Sequence, residues 1–324
     1  MAKVGKDLVA SNSRGLSKAT VFPTLVEEAG NNARFAWEEF LYGSISNENT
    51  RRAYGKAVGD LLAAADEAGL SLVQISPKFI RAWLERMSVS IPTKKLRLSA
   101  VRHFFDLAVT RHAVPLNPAL SVRGERFKVI EGQTPEITVQ QARKLLRACD
   151  DKTLVGLRDK AIISTLIYTA ARVGAVVALL SGDFANTGEQ WYLKFREKGG
   201  KVREIPVRHD LQLLLSRYIE QAGIATKSRP LFLSAEGKTG QLTEKAMGAD
   251  DVRRMLKRRL KEAGLPEIFS PHSFRVCALT DLLKQEVPRE DVQYLAGHAD
   301  PRTTSLYDRR KKKITRNIVE RISV

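Results

Sequence analysis

The chain has 324 residues, 43% of them hydrophobic, and carries 54 Lys+Arg against 36 Asp+Glu, a formal net charge of +18. That apolar content excludes wholesale disorder, and the length holds two domains at roughly 100–200 residues each. The absence of any run of about 18 apolar residues excludes a membrane span, and the basic excess points to a polyanionic partner, nucleic acid before an anionic membrane.

Only Cys149 and Cys277 are present. Two isolated thiols make neither a disulfide framework nor a Cys-rich zinc site, and they read as small buried hydrophobes in a reducing, cytoplasmic compartment. The histidines show no metal-ligand spacing, so no metal and no other cofactor is expected. The start, Met1-Ala-Lys-Val-Gly-Lys-Asp7, lacks the apolar run of a signal peptide.

Residues 1–22 are polar and mixed, and read as a flexible arm. Residues 23–120 read as an all-helical domain. Leu25, Val26, Ala33, Phe35, Ala36 and Phe40 give a first apolar pattern, and Ser46-Asn-Glu-Asn-Thr50 supplies helix-start chemistry. Tyr54, Ala57, Val58, Leu61, Leu62 and Ala65 follow at helical spacing, with Gly69 to close the helix. Ser76-Pro77 opens the next, with Phe79, Ile80, Trp83, Leu84 and Met87 inside. A further helix over 93–112 places Leu96, Val101, Phe104, Phe105 and Ala108 inside, and Lys94, Lys95, Arg97, Arg102 and Arg111 outside. Arg51, Arg52, Lys94, Lys95, Arg97 and Arg102 are candidate contacts to a DNA backbone; an ordinary solvated face has the same composition.

Pro115, Pro118, Gly124, Gly132 and Pro135 punctuate an expected linker at 121–136, extended and mobile enough for two domains to close around a duplex. The second domain, 137–324, opens on the capping-box pattern Thr138-Val-Gln-Gln141. A helix over 156–170 is apolar nearly all round and therefore buried. Arg172 follows it directly; an arginine at a buried helix end needs an anionic partner, and no acid lies within several residues after it. Trp191–Phe195 and Val202–Val207 read as two strands joined by a Glu197-Lys198-Gly199-Gly200-Lys201 turn. A helix over 210–222, an extended piece at 230–234 and a helix over 250–263 come next. The outer side of the last carries Arg253, Arg254, Lys257, Arg258 and Lys261, and the first four are further candidate DNA contacts. Ile314, Ile318, Val319 and Ile322 make an apolar stripe on a last helix.

The most informative stretch is Ser270–Arg310. His272 and Arg275 stand at i, i+3, His298 sits in a Gly-His turn, and Tyr307 follows nine positions on, with Arg302 before it and a basic run after it. A phenol, with a pKa of about 10, is a poor nucleophile unless its surroundings help it. Clustered cations help it and also hold a phosphate, and histidines move protons near neutrality. Together these residue types suit phosphoryl transfer through a phosphotyrosine.

His272-Ser-Phe-Arg275 and Leu295-Ala-Gly-His298-Ala-Asp-Pro-Arg-Thr-Thr-Ser-Leu-Tyr307 resemble the second half of the tyrosine recombinase, or phage integrase, signature. The resemblance implies a mainly α fold with a small β-sheet (α+β), in which an N-terminal helical core-binding domain precedes a C-terminal integrase-type catalytic domain. It makes Arg172 the first catalytic arginine, Lys198 a hairpin lysine delivered into the minor groove, and His272, Arg275 and His298 the remaining clamp around Tyr307, the nucleophile. The implied activity is site-specific cleavage and religation of double-stranded DNA through a 3′-phosphotyrosine, in integration, excision or resolution for a mobile element or replicon. The implied assembly is a tetramer on two paired sites, a monomer or weak dimer when free, with the C-terminal helix docked on a neighbouring protomer. A type IB topoisomerase and a non-catalytic DNA-binding regulator share the fold and remain alternatives. Two departures stand out: the family's glycine two positions before the first arginine is Ala170, and its acid three positions after is Ala175, which puts the orientation of Arg172 and the level of activity in question.

Overall fold

In this computed structural model the chain is described over residues 22–126, 134–196, 201–237 and 239–308. Two compact units divide near residue 128. Among the described residues no helix is long and apolar enough to cross a membrane.

The first unit is entirely helical: α1 (Thr24–Glu28), α2 (Asn31–Glu38), α3 (Glu48–Glu67), α4 (Pro77–Arg86) and α5 (Ile91–Thr110), with one π-helical turn at Glu39–Gly43. Asn47 caps α3 by accepting the Thr50 amide at 3.1 Å, and Ser76 caps α4 at Phe79, with Pro77 in the first turn. The chain leaves α3 where Gly69 adopts φ +68°, a left-handed conformation that glycine takes without strain. Trp37, Phe40, Phe104 and Phe105 pack edge-on and tilted, in one core with Leu61 and Leu62.

Helix α5 departs from the sequence expectation. Leu96 is 42% exposed and Leu98 is buried in its stead, because Leu98, Val101, Phe105 and Ala108 fall on one stripe at i, i+3, i+7 and i+10 and Leu96 does not. Phe35 likewise faces outward. Arg97 and Arg102, expected on the outer face, lie partly inside: Arg97 pairs with Asp60 at 2.9 Å beside Trp83, and Arg102 donates to the Ala119 and Val122 carbonyls.

The second unit surrounds α7 (Leu154–Thr169), which is buried on nearly every side. Before it comes α6 (Val139–Ala148), opened by a reciprocal capping box in which Thr138 Oγ1 accepts the Gln141 amide and the Gln141 side chain accepts the Thr138 amide. After it come α8 (Val173–Val177) and an antiparallel sheet of β1 (Phe184–Asn186), β2 (Trp191–Arg196) and β3 (Val202–Pro206). The β2–β3 register pairs Leu193 with Ile205 and Arg196 with Val202. Then α9 (His209–Gln221) packs on α7, followed by the two-stranded ribbon β4 (Leu233–Ala235) and β5 (Leu242–Ala246) and by α10 (Ala249–Glu262). The described part of the unit closes with α11 (Pro271–Lys284), α12 (Arg289–Ala296) and α13 (Pro301–Ser305). β1 and β5 escape the sequence reading because β1 has only three residues and β5, Leu-Thr-Glu-Lys-Ala, is largely polar and exposed, with no alternating pattern.

A charged knot fixes α10 to the centre. Asp159, fully buried on α7, accepts from Arg158, Arg258 and Arg259, so the carboxylate is neutralised where solvent cannot reach it. The expected arm, the Glu197–Gly200 turn and the C-terminal helix lie outside the described residues, as does the middle of the expected linker.

Candidate active site

The site forms where α7, α11, α12 and α13 meet. Helix α7 stops at Ala170, whose backbone turns left-handed at φ +49°, ψ 22°. A non-glycine residue there carries about 1–2 kcal/mol of steric cost. The turn has two consequences: the Ala170 carbonyl accepts from Arg275 of α11, and Arg172 swings outward as the extended N-cap residue of α8. Arg172 is therefore exposed, contrary to the buried position expected for it. Its charge still reaches the cluster, since it helps to lower the pKa of His272, Arg275 and His298.

Arg275 is the buried centre, at 1% exposure. One turn into α11, its guanidinium donates to the carbonyls of Ala170 and Ala296, and it reaches His298 Nε2 at 2.7 Å. These contacts join the end of α7 to the end of α12. Burial, then the neighbouring Arg172, lowers the Arg275 pKa. A cation so placed calls for an anion.

His298 follows Gly297, whose φ of +62° closes α12 and turns the chain inward. A guanidinium only donates, so His298 Nε2 accepts, and the ring proton sits on Nδ1, 2.9 Å from Thr304 Oγ1. Burial, with Arg275, Arg172, His272 and Arg203 nearby, pushes the His298 pKa down to about 4. His272 shifts the same way for the same kinds of reason, desolvation first and then the two arginines.

Tyr307 lies just after α13 and is 8% exposed. Its hydroxyl is 3.3 Å from His272 Nε2, its ring stacks on His298 at 5.4 Å between centroids, and its carbonyl accepts from Thr280 Oγ1 of α11 at 3.2 Å. The hydroxyl also stands close enough to Arg275 to act on it by hydrogen bonding, which favours the charged guanidinium. A phenol thus sits between an imidazole that is neutral at pH 7 and a buried guanidinium. That arrangement can remove the phenol proton and steady negative charge next to the oxygen.

The structure brings His272, Arg275, His298 and Tyr307 together, with Arg172 at the rim. Lys198 lies outside the described residues, between the ends of β2 and β3. One cation escaped the sequence reading. Arg203 is 6% exposed, donates to the Leu295 carbonyl and lies over Phe195. Its alternation with buried Ile205 on β3 was the available signal, since both point to the same face. Arg203 and Arg275 therefore cap consecutive carbonyls at the end of α12, favourable for positive charge at a helix C-terminus. Beside them, Arg203, Gln293, Tyr294 and His298 help line a cavity of about 480 Å³.

The candidate DNA contacts are placed as follows. Arg51 donates to the Ile45 carbonyl and covers Tyr42, Arg52 pairs with Glu48, and Lys94 pairs with Glu125. Lys95 and Lys257 are exposed. Arg253 and Arg254 pair with Asp250 and Asp251 on their own helix, and Arg258 with Asp159.

Fold and site together place a tyrosine hydroxyl among two imidazoles and a buried arginine, a set of groups suited to phosphoryl transfer. A profile of the Phage integrase family matches residues 135–313, and one of the phage integrase N-terminal SAM-like domain matches 36–112. The chain belongs to the phage integrase family and is a tyrosine recombinase, an enzyme of site-specific DNA breakage and rejoining. It is 27% identical over 264 residues to tyrosine recombinase XerC of Salmonella typhi, spanning 80% of this chain and 84% of that one. Among solved structures, XerH recombinase bound to palindromic difH substrate in a post-cleavage complex superposes with a TM-score of 0.69 at 17% identity, over 90% of this chain and 94% of the other. A lambda integrase tetramer bound to a Holliday junction superposes with a TM-score of 0.61 at 18% identity, over 87% and 79%.

Proposed function

We propose that Tyr307 is the nucleophile of this recombinase and that His272, Arg275, Arg172, His298 and Lys198 divide the remaining work. Tyr307 Oη attacks the scissile phosphorus while its proton passes to His272 Nε2. The bond to the 5′-oxygen breaks in line, and Lys198 protonates that leaving oxygen. Arg275 and Arg172 hold the non-bridging oxygens, and His298 donates one more hydrogen bond to them. The product is a 3′-phosphotyrosine and a free 5′-hydroxyl; attack by another strand's 5′-hydroxyl reverses the step and releases the tyrosine. One observation carries the assignment: the phenol hydroxyl lies 3.3 Å from a neutral imidazole beside a buried arginine.

The partner is double-stranded DNA, in keeping with the net charge of +18. The helical unit at 23–120 and the catalytic unit at 137–324, joined in sequence by 121–136, each bind the duplex. The exposed cations Arg52, Lys95, Arg253, Arg254 and Lys257 contact its backbone, and Arg51, Lys94, Arg97, Arg102 and Arg258 contribute through the surfaces they stabilise. The working assembly is a tetramer on two paired sites, supported by the Holliday-junction tetramer of lambda integrase, and the enzyme works in the cytoplasm.

The test begins by selecting bound sequences from a randomised duplex pool with the full chain. Nicked versions of the selected duplex then trap a covalent protein–DNA adduct. The expected result is an adduct in the wild type that Tyr307→Phe abolishes with DNA affinity unchanged. An adduct that survives Tyr307→Phe overturns the assignment.

A further inference from the structure

The hydrogen bonds of His298 set up a conflict with phosphate binding. Its Nε2 accepts from Arg275, so its proton is on Nδ1 and donates to Thr304 Oγ1. A phosphate oxygen is an acceptor. To bond it, His298 must present a proton on Nε2 instead. Gaining a second proton is one route, but the ring is buried among Arg275, Arg172, His272 and Arg203, which oppose further positive charge. The other route is to change tautomer. The ring then keeps its charge, one proton leaves Nδ1, one arrives at Nε2 through solvent, and Nδ1 becomes an acceptor that needs a donor.

Thr304 meets that need. It is fully buried on α13, its hydroxyl lies 2.9 Å from Nδ1, and a hydroxyl both accepts and donates by rotating about one bond. A carboxylate in its place would only accept, and a backbone amide would only donate. We infer that Thr304 is a positioning residue that lets His298 reverse its tautomer when the phosphodiester arrives, freeing Arg275 to turn from the imidazole to the phosphate. The inference rests on the reading that this site holds a phosphodiester.

The experiment uses the full chain and the nicked duplex described above. Thr304→Val keeps the shape and removes the hydroxyl; Thr304→Ser keeps the hydroxyl. Single-turnover cleavage should fall roughly ten-fold or more in Thr304→Val, with DNA affinity within about two-fold, and return to within about three-fold in Thr304→Ser, the range of loss expected when a hydrogen-bonded catalytic group loses its orientation. Selective ¹⁵N-histidine spectra, with His298 assigned by its loss in His298→Gln, should show the Nδ1–H tautomer in free protein and Nε2–H in the Tyr307→Phe protein bound to the duplex. Wild-type cleavage rates in Thr304→Val, a serine variant as slow as valine, or a bound ring still protonated on Nδ1 each overturn the relay. If the wild type forms no adduct, the phosphotyrosine reading fails, and the ring nitrogens still decide the relay by themselves.

Discussion

Acidification should destabilise the DNA-free enzyme through one residue. The Tyr307 ring stacks on His298, and burial first, then Arg275 from α11, Arg172 ahead of α8, His272 and Arg203 from β3, hold its pKa near 4. In the unfolded chain the imidazole returns to about 6.5. Between these values the unfolded state binds a proton that the folded state refuses. Stability is therefore complete above about pH 6.5 and falls as the pH drops toward 4. At roughly 1.4 kcal/mol per unit, the loss reaches about 2 kcal/mol at pH 5 and about 3 kcal/mol at pH 4. That is a large share of the roughly 5–15 kcal/mol typical of a folded protein. Urea unfolding followed by circular dichroism between pH 7 and pH 4.5 measures it, with His298→Gln as the reference. Glutamine can accept from Arg275 and donate to Thr304, yet it does not titrate. Subtracting the two pH profiles removes the titrations the two proteins share, including that of His272. The difference should narrow by about 2 kcal/mol from pH 7 to pH 5, at the expense of the wild type. A difference that stays flat across that range would refute the neutral, buried state assigned to His298.

Outcomes at three further sites are expected. Lys198→Ala should slow cleavage by roughly 100-fold or more, the usual size of a general acid's contribution, and a 5′-thiol leaving group should restore it because a thiolate departs without a proton; a defect that persists with the thiol sinks the acid role. Asp308 is paired with Arg289 Nη2 at 3.1 Å and directly follows Tyr307. If this pair seats Tyr307, Asp308→Asn should slow cleavage several-fold, on the order of the losses that misorientation causes; a faster variant would show that only the acid's repulsion of phosphate matters. Ala170→Gly exchanges relief of about 1–2 kcal/mol of left-handed strain for a lost buried methyl of about 0.8 kcal/mol and a more flexible unfolded chain, so stability should move by less than about 1 kcal/mol. Ala170→Val should lose at least about 2 kcal/mol, because a β-branched residue strongly resists that backbone conformation; equal melting temperatures for the two variants would contradict the conformation.

The sequence disclosed what repeats locally. Caps at Asn47, Ser76 and Thr138 announce their helices because one side chain satisfies the amide three residues on. The all-apolar run of α7 signals burial by itself, and the His272–Arg275 spacing places both on one helical turn. Contacts between distant segments are what stayed hidden. Nothing near Arg275 in the chain shows that its charge meets carbonyls 105 and 21 residues away. Nothing near Arg172 shows that a left-handed Ala170 turns it outward. Arg203 and Thr304 look like ordinary surface residues until the strand face and the α13 turn are known to point inward.

The arrangement also explains why the described hydrogen-bond partners of Arg275 are carbonyls and an imidazole, not a carboxylate. Among the described residues, Arg275 bonds two carbonyls and a neutral imidazole, groups that satisfy its protons and leave its charge uncompensated. A carboxylate there would stabilise the free enzyme and compete with the phosphate, leaving less of the binding energy for the transition state. Carbonyls and a tautomer-switching imidazole yield without such competition. By the physics of buried charge, a phosphodiester bound as proposed supplies Arg275 with the counter-charge that carbonyls and a neutral imidazole do not.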